Sequence, residues 1–89
     1  MDYQPNNTYQ VSAGGHYLTV NAKSETKIVP SSDIRAIRVA HAAGVKDHWW
    51  EVVIDTSLPK PTVVKAFGEH ERDEADNDAA YLASRLFAK

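Results

Sequence analysis

The chain has 89 residues, 43% of them hydrophobic and 25% charged, with a formal net charge of −2, a pI near 6.0 and no cysteine. That length supports one domain and no second core, and the missing cysteines exclude disulfides, thiolate nucleophiles and Cys-type zinc sites. The low pI argues against a nucleic-acid binder, which would carry a basic stripe, although the charge is uneven: six of the twelve acids lie between Glu69 and Asp78.

Residues 1–7 read as a polar, flexible tail. They carry neither the basic n-region nor the apolar h-region of a signal peptide. No apolar run approaches the roughly 20 residues that span a bilayer. The expectation is a soluble, cytoplasmic protein with a single α+β domain over residues 8–89. Thr8 to Ser12 alternates as a first short strand, and Ala13-Gly14-Gly15 is a turn signal because both glycines tolerate positive φ. His16 to Lys23 alternates again, with Leu18, Val20 and Ala22 on one face and Tyr17, Thr19 and Asn21 on the other; the two runs form a hairpin. Lys27-Ile28-Val29 leads into a turn at Pro30-Ser31-Ser32-Asp33. The spacing of Ile34 and Ile37 suggests one turn of 3₁₀ helix or a bulge.

A strand pattern resumes from Arg35 to Ala42, with Ile37, Val39 and His41 on one side and Ala36, Arg38, Ala40 and Ala42 on the other. Gly44 to Asp47 is a turn. His48 to Thr56 is the strongest strand: Trp50, Val52 and Ile54 share one face, and Trp49, Glu51, Val53 and Asp55 share the other. Leu58-Pro59-Lys60-Pro61 breaks the pattern, since neither proline donates to a ladder. Thr62 to Phe67 is a fifth strand. A helix follows over about residues 72–88, its apolar stripe made by Ala75, Ala79, Leu82 and Leu86 and widened by Ala83 and Phe87. Acids at its start and Arg85 and Lys89 at its end complement the helix dipole. The predicted fold is therefore α+β: an antiparallel β-meander of about five strands packed on one C-terminal α-helix. Leu82, Leu86 and Phe87 should pack on the face bearing Trp50, Val52 and Ile54, with the helix as the only candidate cover.

Residues able to carry chemistry are scattered. His16, His41, His48 and His70 lack the spacings of zinc helices; His41 and His48 flank one turn and can meet across a hairpin, but two histidines would still need a carboxylate. Gly68 to Glu74 lacks the alternating oxygen ligands and central glycine of an EF-hand and reads as a solvated helix start. No serine sits in a G-x-S-x-G or S-x-x-K context, and Ala13-Gly14-Gly15-His16 has no phosphate-loop lysine. No catalytic residue, metal or cofactor is expected, and the chain reads as non-enzymatic.

The Trp49-Trp50 pair carries more information. Neighbours in a strand point to opposite faces, so both rings cannot enter one core. Either Trp49 faces outward beside Val53, as interface aromatics do, or it packs beneath the N-terminal hairpin or the Leu58-Pro59 loop. The first reading makes Trp49, Glu51, Val53 and Arg38 the candidate protein-binding residues. The acidic stretch from Glu69 to Asp78 is next in line.

The run from Ile28-Val29-Pro30-Ser31-Ser32-Asp33 to Ile37, then His48 to Ile54, Val63 to Phe67 and the closing helix with Leu82, Ala83 and Leu86, resembles in its hydrophobic pattern the short pleckstrin-homology-like domains of bacterial and phage proteins. The chain is a strand or two short of the seven-stranded version. The resemblance implies a scaffold for protein or lipid-headgroup contacts without shared catalytic residues. A headgroup pocket needs a basic loop, and the first hairpin offers only Lys23, so no membrane partner is expected. The function expected from these readings is a small non-catalytic protein-interaction module with a protein partner, a homodimer through the outer sheet face being one form of it. The alternative is an inhibitor encoded by a phage or mobile element that occludes a host protein.

Overall fold

The computed structural model describes residues 7–87; all but Asn7 of the expected tail, and the last two residues of the chain, lie outside them. Two hairpin-rich sheets and one helix make up the fold. The elements are β1 (Thr8–Val11), β2 (Tyr17–Asn21), β3 (Thr26–Pro30), a 3₁₀ turn at Ser31–Asp33, β4 (Ala36–Ala43), β5 (His48–Asp55), β6 (Thr62–Phe67) and α1 (Arg72–Leu86). All pairings are antiparallel, in two three-stranded sheets ordered β1-β2-β3 and β4-β5-β6.

The α+β class with a C-terminal helix is as expected, but the meander is not one sheet of about five strands. The extra strand is β3, whose register against β2 pairs Leu18 with Val29 and Tyr17 with Pro30. Its short Lys27-Ile28-Val29 pattern ends in a proline, which a strand at a sheet edge accommodates because one row of its backbone groups needs no ladder partner. The 3₁₀ turn falls on the Ser-Ser-Asp triplet, three residues before the expected position. Breaking the chain there, at the Pro30 corner, splits the meander into two sheets.

Period-two alternation decides what each sheet buries. Leu18, Val20 and Val29 from the first sheet, Val52, Ile54, Val64 and Phe67 from the second, and Ala75, Leu82 and Leu86 from α1 join in one core with Ile34. The inner face of β4-β5-β6 is thus covered by the first sheet as well as by the helix, and the helix is not its only cover. Leu82 and Leu86 pack as expected, whereas Phe87 is 41% exposed. The helix ends at Leu86, and Phe87 follows it as the C-cap, its N–H bonded to the Ala83 carbonyl. In β6 the register slips by one residue between Val63 and Lys65, leaving Val64 without a partner in β5 and fully buried in the core. Such a bulge lets one extra residue turn inward.

The β1–β2 turn is anchored to the far end of the helix. Gly15 has φ +73°, and a Cβ there would collide with the carbonyl oxygen of Arg85; Arg85 Nη2 in turn donates to the Ala13 carbonyl at 3.3 Å. Tyr9 makes the second tie, its hydroxyl donating to Asp78 Oδ2 at 2.9 Å.

Candidate functional site

The β4–β5 hairpin fixes the two tryptophans. Its register is unbroken over eight pairs, from Ala36 opposite Asp55 to Ala43 opposite His48. Directly opposed residues share a face, so one face carries Trp49, Glu51, Val53 and Asp55 beside Ala42, Ala40, Arg38 and Ala36. The other carries His48, Trp50, Val52 and Ile54 beside Ala43, His41, Val39 and Ile37. Trp50 packs against the core with Ile37 and Val39. Trp49 is half-buried and lies outside that core.

The outer face is built from a large ring on a floor of small residues. Trp49 Nε1 donates to Glu51 Oε2 at 2.9 Å, which holds the indole along its own strand. The row opposite supplies Ala40 and Ala42, and β6 supplies Ala66 opposite Glu51. At the far end Arg38 makes a two-pronged contact with Asp55, through Nε at 2.7 Å and Nη2 at 3.2 Å. That hydrogen bond, with the guanidinium charge, lowers the Asp55 carboxyl below the ordinary carboxylate range, and the same bond raises Arg38. The sequence brings together all four expected residues, but it misjudges one of them. Val53 is only 3% exposed, flanked by Arg38 on one strand and Val63 on the other. It is a floor of this face and not an open contact. Asp55, which orients Arg38, was visible only as a fourth member of the same alternation.

A second constellation lies at the opposite face, near the helix start. His41 and His48 do meet across the hairpin, their rings stacked with centroids 5.4 Å apart and planes at 12°. His41 also abuts Trp50 at 4.9 Å. The Arg72 guanidinium lies 4.7 Å from the Trp50 ring centroid, and Trp50 Nε1 donates to the Glu69 carbonyl at 3.0 Å. The column His48–His41–Trp50–Arg72 therefore pins α1 to the end of β5. The contacts of Arg72 and Glu69 with Trp50 had no signal in the sequence, because they join residues about twenty apart with all of β6 between them. Among the described residues no group of three or more His, Asp or Glu side chains converges as a metal site.

The acidic helix start serves local structure. Glu71 Oε1 accepts the Gly68 N–H, Arg72 lies 3.9 Å from Asp76 one turn on, and Asp73 and Glu74 sit in the first turn, where the helix dipole favours them. Asp78 is committed to Tyr9. No helix among the described residues is long and apolar enough to cross a membrane.

No family model, curated protein or solved structure matches the chain.

Proposed function

We propose that the protein is a small, non-catalytic protein-interaction module that binds its partner through the outer face of β4-β5-β6, around Trp49. The observation that carries this reading is the contrast between the two faces of one strand. The face with Trp50 is closed by a sheet and a helix, while Trp49, on the opposite face, lies outside that core and is half-buried, its indole N–H bonded to Glu51. A rigid aromatic set on alanines, with a paired Arg38–Asp55 at one end, has the make-up of an interface centre with a polar rim. The pleckstrin-homology-like resemblance is part of this proposal and would class the chain as a scaffold.

The test is affinity capture from the native host with the wild-type chain and with Trp49→Ala, followed by mass spectrometry. The reading expects a partner retained by the wild type and lost by Trp49→Ala, with affinity falling by about 2 kcal/mol or more, the scale of a hot spot. It also expects Trp49→Ala to keep the wild-type circular dichroism spectrum. A partner retained equally by both chains refutes the assignment of this face.

A further inference from the structure

The four sheet edges of this protein are not equally protected. β1 is four residues long and is tied at its start by Asn7, whose side chain donates to the Val63 carbonyl of β6. β3 carries Lys27 and ends in Pro30. β6 carries the bulge at Val64 together with Lys65. Each of these is a known device against edge-to-edge pairing: shortness, lysine, proline, a bulge or a covering segment. β4 is neither short nor broken by proline, lysine or a bulge; its one charge, Arg38, is paired with Asp55 of its own sheet, and α1 packs against it as it does against β5. It is eight residues long, its pairing with β5 is regular throughout, and its sequence Ala-Ile-Arg-Val-Ala-His-Ala-Ala holds neither proline nor lysine. It lies at the end of its sheet, and among the described residues no backbone hydrogen bond outside the β5 ladder involves it. Two core-facing residues on it, Ile37 and Val39, are only half-buried, so apolar surface remains open along the rim.

We propose that this edge pairs with the same edge of a second copy of the chain, antiparallel, about a two-fold axis at Val39. That register is selected by what it places opposite. Val39 meets Val39 of the second copy, Ala36 meets Ala42, and Ile37 meets His41, so the half-buried inner row is extended by apolar or aromatic neighbours on its own face. Arg38 meets Ala40 of the second copy, whose next neighbour on the same face is Glu51. The span from Arg38 to that Glu51 is two strand spacings, roughly 9.5 Å, across a side chain no larger than a methyl. Arg38 uses two of its five donors on Asp55, and one Glu51 oxygen is free of Trp49. The dyad repeats the Arg38–Glu51 approach, giving two complementary pairs and no like charges directly opposed. The result is one continuous six-stranded sheet, and the proposal stands whether or not Trp49 binds another partner.

The test combines sedimentation equilibrium with hydrogen exchange on the full chain. The wild type should self-associate to a dimer, with the outward amides of β4 gaining protection as concentration rises. Ala40→Lys sets a lysine opposite Glu51 within each copy, which supports the fold, and opposite Arg38 of the second copy at both ends of the interface. It should weaken association about tenfold. Ala40→Glu reverses the signs, meeting Glu51 at home and Arg38 across the dyad, and should leave association at or above the wild-type level. Circular dichroism melts establish that both variants are folded. A wild type that stays monomeric up to about 1 mM overturns the proposal. So does a dimer whose β4 amides gain no protection, and so does equal weakening by lysine and glutamate.

Discussion

Replacing Gly15 with alanine tests how the first hairpin is fastened to the helix. Two costs add at this position. A residue with a Cβ at φ +73° is strained by about 1–3 kcal/mol. The new methyl also points into the Arg85 carbonyl oxygen, a backbone atom of the helix that cannot rotate away. Hairpin and helix end must separate, which loosens Leu18 against Leu86 in the shared core. The total should be at least about 2 kcal/mol, and for a chain of this size each 1 kcal/mol lowers Tm by roughly 4–8 °C. Gly14→Ala is the control. Gly14 has no positive φ, and its added methyl would meet only the exposed His16 ring, which can swing aside. It should change stability by less than about 0.5 kcal/mol, as ordinary surface substitutions do. The assay is urea unfolding of both variants, read at constant m-value so that the midpoint alone reports the change. If Gly15→Ala and Gly14→Ala unfold together, the close contact between turn and helix end does not exist.

Two further outcomes follow from charged and hydrogen-bonded pairs. Because the Arg38 bond lowers the folded carboxyl, the stabilisation from Asp55 is present above the unfolded pKa near 3.9 and is lost as pH falls through the lower folded value. Carboxyl NMR titration should show Asp55 titrating below that reference, and Arg38→Gln should return it toward the reference. Tyr9 is shifted the other way, raised first by burial and then by its bond to Asp78, so its contribution is present below about pH 10 and lost as pH rises through the folded value. Tyr9→Phe should cost about 1 kcal/mol at neutral pH, the usual net worth of one hydrogen bond, and should flatten the alkaline limb of a stability profile measured by thermal melts.

Most of the secondary structure was legible because the local signals agree. Alternation over Arg35–Ala42 and His48–Thr56 found β4 and β5 to within two residues. The 3.6-residue stripe through Ala75, Leu82 and Leu86 found α1, and these three are the helix residues that end up buried. What failed was any inference needing two elements at once. β3 shows only a short apolar pattern of its own, and it is a strand because β2 supplies a ladder for it, Thr26 to Asn21 through Pro30 to Tyr17. Missing it removed the first sheet, and with it the second cover for the Val52–Ile54 face. The first sheet supplies Leu18 and Val20 to the core over that face, and Phe87, which helical periodicity placed beside the stripe, stays exposed.

The same distinction governs the candidate site. Parity along β5 is a property of one strand, and it separated Trp49 from Trp50 correctly. Burial of a given residue on the chosen face is a property of three strands. Val53 lies on the central strand with Arg38 to one side and Val63 to the other, and the diagonal Arg38–Asp55 bridge passes beside it. Trp49 sits four pairs further along the ladder, where its cross-strand neighbour is Ala42. Val53 is closed off between Arg38 and Val63, while Trp49, beside Ala42, keeps part of its surface exposed. The binding surface should therefore be centred on Trp49 and spread toward the alanines of β4, not toward Val53. That shift also brings it next to the unprotected edge, so a partner on Trp49 and a second copy along β4 would meet at Ala40 and Ala42.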